Sequence, residues 1–217
     1  MNSNPLIVRE LGLCDYLPTA QAMQNFTAKR GVQDFDELWL LQHHPVFTQG
    51  QAGKPEHILD PGDIPIIQTD RGGQITYHGP GQLIVYCLFN LHALNIGIRC
   101  LVHGLENSII KLLSDYEVRA HQQEKAPGVY VEGNKICSLG LRVRRGFTYH
   151  GLALNIDMDL TPFNRINPCG YPNLAVTQLR DLTATRDIST VSSQVVKHLC
   201  KEFGYNPKFC YNELFPL

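Results

Sequence analysis

The sequence predicts an α+β fold, a mixed and largely antiparallel sheet flanked by helices, and three observations carry that prediction. Residues 83–89 (LIVYCLF) are apolar on both parities, as in a central strand covered on both faces. Gly133-Asn134 separates two strand-like segments and suits a tight hairpin turn. Ile98, Leu101, Val102, Leu105, Ile109 and Leu112 mark one face of an amphipathic helix, and Ile188, Val191, Val195, Leu199 and Phe203 mark another. Strands and helices alternate without βαβ regularity, which favours a sheet with its helices on one side. No composition break divides the chain, so residues 1–217 read as a single domain with a short C-terminal appendage.

In chain order, residues 6–11 read as a short strand and 17–29, rich in Ala and Gln, as a helix. Residues 37–42 (ELWLLQ) form a second strand. The segment 43–70 carries Pro45, Pro55, Pro61 and Pro65 and reads as loop, with a short strand possible at 64–68. The central strand and the first long helix follow. Strands at 129–132 and 135–143 flank the Gly133-Asn134 turn, and 147–156 extends them into an antiparallel meander. In the second of these, Leu139, Leu141 and Val143 alternate with Gly140, Arg142 and Arg144, so one face is wet. Residues 161–172, with three prolines and a Pro-Cys-Gly turn, form a loop before the last helix.

Composition narrows the function classes. The chain has 217 residues, 19 basic against 20 acidic, for a formal net charge of −1. Nucleic-acid binders carry a basic excess, so that class is disfavoured. The longest clean apolar run, 83–89, is far short of the roughly 20 residues of a membrane helix. The N-terminal stretch MNSNPLIVREL lacks a basic start followed by an apolar region, so a cytoplasmic protein is expected. The seven cysteines (14, 87, 100, 137, 169, 200 and 210) include no CxxC pair, and in a reducing compartment most are expected to be free thiols acting as small buried hydrophobes.

The densest feature is Arg71-Gly72-Gly73-Gln74-Ile75-Thr76-Tyr77-His78-Gly79-Pro80-Gly81-Gln82. Its glycines let backbone approach a ligand and offer unshielded N–H donors, or they serve a plain glycine-rich hairpin. It has neither P-loop nor GxGxxG spacing. Thr-Tyr-His-Gly occurs at 76–79 and again at 148–151, so His78 and His150 could face one another across a sheet. No short-spaced ligand pair anchors a metal there, and none is expected. Asn167-Pro168-Cys169-Gly170 puts a thiol on a kinked loop, where it is a nucleophile or a loop cysteine without a role. Lys135 follows the predicted turn as a strand residue or surface charge. Arg142, Arg144 and Arg145 form a solvated face or a docking patch for an acidic partner.

Together RGGQITYHGPGQ (71–82), GNKICSLGLRVRRGFTYHGLALN (133–155) and NPCG (167–170) resemble the lipoyl(octanoyl) transferase family of lipoate biosynthesis, over roughly residues 30–210. The resemblance implies the fold of biotin and lipoate protein ligases and a catalytic region of about 30–210. It implies transfer of octanoyl from acyl carrier protein to a lysine of lipoyl domains, in 2-oxoacid dehydrogenases and the glycine-cleavage H protein. By position, Cys169 matches the family's acyl-accepting nucleophile and Lys135 its partner. Arg71, Gly72, Gly73, Gln74, Ile75, Thr76, Tyr77 and His78 match segments lining the acyl site, as do Ser138, Leu139, Gly140, Gly151, Leu152 and Ala153, with His150 beside them.

That chemistry suits the residues. A thioester donor can pass its acyl group to a thiolate at little thermodynamic cost, so neither ATP nor another cofactor is needed. An adjacent ammonium favours thiolate over thiol, and a partly desolvated lysine can be charged at one step and neutral at the next. Backbone N–H groups of the glycine-rich wall would hold the oxyanion, and an apolar tunnel would measure the chain at roughly 0.8 kcal/mol per methylene. An acidic donor or acceptor would be steered by Arg142–Arg145, making kcat/KM salt-sensitive. Two other readings compete. A ligase of the same fold needs ATP and not Cys169; a non-catalytic carrier-binding protein binds without turnover.

Overall fold

A computed structural model describes residues 4–124, 126–172 and 174–211; the first three residues of the N-terminal stretch read for a leader lie outside it. The elements are β1 (Asn4–Cys14), α1 (Tyr16–Lys29), β2 (Asp36–His43), β3 (Val46–Gln49), β4 (Ile66–Gln68), β5 (Ile75–His78) and β6 (Gln82–Leu88). There follow α2 (Leu91–Leu94), α3 (Ile98–Asp115), β7 (His121–Gln122), β8 (Gly128–Val131), β9 (Asn134–Arg144), β10 (Phe147–Asn155), α4 (Ile188–Phe203) and β11 (Tyr205–Tyr211).

Eight strands form the main sheet in the order β11-β1-β2-β6-β10-β9-β8-β7, and β4-β3-β5 form a smaller one. β1 runs parallel to both its neighbours, and the other neighbouring strands of the main sheet run antiparallel. The expected α+β class, with a mixed and largely antiparallel sheet, is what the chain adopts.

The pleat decides which residues meet which helix, because successive side chains of a strand point to opposite faces. Leu38 and Leu40 of β2, with Leu83, Val85 and Cys87 of β6, join the apolar stripes of α3 and α4. Trp39 and Leu41, with Ile84, Tyr86 and Leu88, join Met23 of α1 on the other face. Helices therefore cover both faces of the sheet, not one as expected. The doubly apolar run 83–89 already required this, and only the weak amphipathicity of α1 hid it.

Three further elements differ from the reading above. The two-residue turn is Glu132-Gly133, with φ of 50° and 84°, and Asn134 is already paired with Val131. A turn with positive φ at both central positions matches the right-handed twist of a hairpin, and Gly133 takes its second position. The proline-rich stretch holds β3, a short 3-10 turn (Pro55–His57) and β4, because strands of three or four residues leave no period to read. The C-terminal segment is not an appendage. Gly204 ends α4 in the left-handed region, and β11 then pairs in parallel with β1, its Tyr205 hydroxyl donating to Asp36. Among the described residues, no helix is long and apolar enough to cross a membrane.

Candidate active site

β5, β9 and β10 converge on a cavity of about 330 Å³. Its walls include Arg71, Gly72, Gly73, Gln74, Ile75, Thr76 and His78 on one side and Ser138, Leu139, Gly140, His150, Gly151, Leu152 and Ala153 on the other, with Lys135 and Cys169. Tyr77 does not line it. That ring packs instead on Phe47 at 5.5 Å and Phe163 at 5.6 Å. Gly151 allows β10 to lie this close to β6, since a Cβ there would sit 2.0 Å from the Val85 carbonyl oxygen.

Lys135 is only 2% exposed, and its Nζ donates to Cys169 Sγ at 2.9 Å and to the Pro127 carbonyl at 3.1 Å. Burial works against its charge, but Cys169 and Tyr130 outweigh that effect and raise its pKa above the usual lysine value. The Tyr130 ring lies 5.2 Å from the ammonium, a cation–π contact.

The Cys169 loop is pinned at both ends. Before it, Ile166 bridges to Ile58, and the Asn167 amide donates to the His57 carbonyl at 2.8 Å. After it, the chain returns alongside β9: the Lys135 amide donates to Ala175 at 2.9 Å, and the Thr177 amide donates to Lys135 at 3.0 Å. The residue whose side chain meets the thiol thus also holds the thiol's loop through its backbone. Cys169 itself adopts φ 57°, ψ 15°, a left-handed conformation that costs a non-glycine residue on the order of 1–3 kcal/mol and that tends to cluster at functional sites.

Arg71 is buried and forms no ion pair among the described residues; its donors reach the Thr48 carbonyl at 2.5 Å, the Thr48 hydroxyl at 3.0 Å, the Gln74 carbonyl at 2.8 Å and the Gly72 carbonyl at 2.9 Å. It therefore folds the glycine-rich loop around itself and leaves an uncompensated positive charge in the cavity wall, suited to a developing oxyanion.

The expected facing of His78 and His150 across one sheet does not occur: His78 stands on the small sheet, His150 on the main one, and both reach the cavity. Gln82 donates its amide N–H to Asn155 at 2.9 Å, so its oxygen takes the Nδ1 proton of His78 at 2.8 Å. Burial lowers the pKa of His78 to about 3 and that of His43 to about 4, leaving both neutral. His43 donates Nδ1–H to the Cys14 carbonyl at 2.9 Å and accepts the Tyr86 hydroxyl at 2.7 Å. His150, lowered by burial, bonds Asp70 at 2.9 Å, and that hydrogen bond is the leading cause holding the Asp70 pKa down at about 2. Among the described residues no group of three His, Cys, Asp or Glu could hold a metal.

Sequence reading did not name Tyr16, Ile84 and Tyr86, which line the cavity, or Asp70, which bonds His150 of its wall. Asp70 adjoins the Arg71 motif and Tyr86 carries a hydroxyl inside the apolar run, which were usable signals; Tyr16 gave none. The Arg142–Arg145 cluster is less free than expected. Arg142 donates to Gln51 at 2.6 Å, and Arg145 caps α1 through the Ala28 carbonyl at 2.7 Å.

The lipoyl protein ligase A/B catalytic domain family matches residues 15–203. An octanoyltransferase of Stutzerimonas stutzeri (strain A1501) is 58% identical over 205 residues, 94% of this chain and 94% of its own length. One from Klebsiella pneumoniae subsp. pneumoniae is 52% identical over 207 residues, 95% of this chain and 97% of its own. Among solved structures, a bipartite lipoate protein ligase from Thermoplasma acidophilum superposes with a TM-score of 0.76 at 14% identity, covering 96% of this chain and 87% of the other. The biotin protein ligase of Aquifex aeolicus gives 0.54 at 14% identity, over 93% of this chain and 69% of its own. At such identities the structural likeness concerns the fold alone.

Proposed function

The chain belongs to the lipoyl protein ligase A/B catalytic domain family and is an octanoyltransferase, and from that premise we propose a two-step transfer through Cys169. The donor is octanoyl-acyl carrier protein, and the acceptor is a lysine of lipoyl domains in 2-oxoacid dehydrogenases and the glycine-cleavage H protein. The observation that carries this reading is the 2.9 Å contact between Lys135 Nζ and Cys169 Sγ at the wall of an otherwise largely apolar cavity.

In the first step the Cys169 thiolate attacks the donor thioester carbonyl. The tetrahedral intermediate expels the carrier thiolate, which takes a proton from the Lys135 ammonium and leaves as a thiol. Cys169 is then an S-octanoyl thioester and Lys135 a neutral amine. In the second step the acceptor amine attacks that thioester, its proton passes to Lys135, and Cys169 departs as thiolate. The amide is formed and the ammonium–thiolate pair restored. Positioned proton transfer of this kind contributes roughly 10²–10⁴ in rate. Arg71 and the backbone of the glycine-rich loop face the oxyanion of both intermediates.

Arg144, with Arg142 on the same strand, would steer an acidic carrier or acceptor domain to the mouth, giving a salt-sensitive kcat/KM. A reducing cytoplasm suits a free nucleophilic thiol. We treat 1–217 as one domain, with its catalytic region at about 30–210.

Intact mass spectrometry of the protein mixed with octanoyl-acyl carrier protein, without ATP, tests the reading. An octanoyl increment on Cys169 that disappears when an apo lipoyl domain is added is the expected result. Transfer seen only with ATP and free octanoate would make the chain a ligase, and binding that survives Cys169→Ala with no turnover in the parent would make it a carrier-binding protein.

A further inference from the structure

Lys135 has a second charged neighbour that does not line the cavity. Glu106, on α3, is 6% exposed, and its Oε1 accepts the Gly128 amide proton at 2.8 Å. The carbonyl on the other side of that same peptide bond belongs to Pro127, and it accepts from Lys135 Nζ at 3.1 Å. One peptide group is thus gripped at both ends, by a carboxylate at its N–H and an ammonium at its C=O. Hydrogen bonds in such a chain polarise one another in a low-dielectric interior. Gly128 makes the approach possible: its φ is 145°, and a Cβ there would fall 2.9 Å from Lys135 Cε.

Among the described residues, the following groups act on these hydrogen-bonded side chains. Cys169 and Tyr130 act on Lys135; His103 on α3 and Lys135 on β9 act on Glu106, and Glu106 in turn acts on Cys137 of β9. Burial raises the Glu106 pKa, while the Gly128 amide, His103 and Lys135 pull it down. In the free enzyme the Cys169 thiolate can balance the ammonium. Once Cys169 is acylated that negative charge is gone, and among the described residues Glu106 is a carboxylate that still acts on Lys135.

Resting on the Cys169–Lys135 reading above, we propose that Glu106 is a positioning residue that acts through the Pro127–Gly128 peptide. It aims Lys135 at Cys169 and holds up the lysine's affinity for a proton when Cys169 is acylated. This strengthens Lys135 as the acceptor of the incoming amine's proton.

The test uses Cys169→Ala, which removes the thiol as acylation removes its charge, and follows lysine side-chain resonances of ¹³C-lysine-labelled protein, with Lys135→Met assigning the signal. Adding Glu106→Gln keeps an oxygen for the Gly128 amide but deletes the charge. Lys135 is expected to titrate at lower pH by about half a unit or more. An unmoved titration overturns the proposal and leaves Glu106 a structural acceptor. Should Glu106→Gln fail to fold, reciprocity gives a second measurement: Lys135→Met must move the Glu106 carboxyl titration to higher pH, and no movement is equally fatal. Neither titration involves octanoyl transfer. A shifted Lys135 in a protein that forms no S-octanoyl Cys169 would therefore overturn the transfer reading alone. With both intact, the acid limb of acyl-enzyme breakdown moves to lower pH in Glu106→Gln.

Discussion

Asp70 Oδ1 accepts the Nε2 proton of His150 at 2.9 Å, and the other oxygen of that carboxylate takes the Tyr149 hydroxyl. Asp70 immediately precedes Arg71, so the start of the glycine-rich loop is tied to β10 at the position where His150 holds φ 60°. Asp70→Ala leaves the His150 imidazole N–H without this acceptor, while Tyr149 keeps its interaction with Arg142. The loss is about 1 kcal/mol, because Asp70 is partly exposed and water can substitute. We expect octanoyl transfer to fall about tenfold as the ring loses its orientation, with Asp70→Asn between the two. Urea unfolding and steady-state kcat/KM separate these effects; unchanged transfer in Asp70→Ala would remove His150 orientation from the account.

The buried histidines make stability fall in acid. His43 and His78 have folded pKa values of about 4 and about 3, lowered chiefly by burial, against roughly 6.5 when unfolded. Below pH 6.5 the unfolded chain binds protons that the folded chain refuses, so stability present above pH 6.5 is lost as pH falls towards 4. Each histidine contributes a slope of up to about 1.4 kcal/mol per pH unit. His43→Gln should flatten that slope in urea titrations between pH 4 and 6. A slope identical to the parent's would mean that His43 is protonated in the folded state.

Lys135→Met separates chemistry from stability. Removing one partner of a buried charged arrangement leaves Glu106 and the Pro127 carbonyl without it, so the melting temperature should fall while the chain still folds. Octanoyl transfer of the folded variant should drop about 10²–10⁴-fold. Normal acylation of Cys169 in this variant, measured by intact mass, would remove Lys135 from the mechanism.

How far the site was legible in the sequence follows from distance along the chain. Of the segments that line the cavity, 71–78 stood out by its glycines and by the repeated Thr-Tyr-His-Gly, whereas 138–140 was named only through the family resemblance. The meander of β8, β9 and β10 was readable because neighbours in sequence are neighbours in the sheet, although its first turn lies one residue earlier than expected. Partnerships such as Glu106 with Gly128 or Asp70 with His150 depend on how α3 and the glycine-rich loop dock against the sheet, which no local period encodes. Tyr77 is the reverse case: the motif contains it, but its ring packs on Phe47 and Phe163 and does not line the cavity.

Chain-length preference should yield to Ala153. On β10 it lies opposite Ile84 of β6, and both line the cavity with Tyr86, so its methyl group bounds the space open to an acyl tail. Ala153→Leu adds three carbons to that wall. Each methylene denied burial loses about 0.8 kcal/mol, a factor of about four, so octanoyl donors should lose roughly 10–100-fold in kcat/KM while butyryl donors change little. Overpacking could lower stability by about 1–3 kcal/mol, which a thermal melt would register, but it would penalise donors of every length alike. The ratio of octanoyl to butyryl kcat/KM is therefore the decisive quantity. A ratio that does not move would put the tail towards Ile98 and Val102, the apolar residues that α3 contributes to the same cavity.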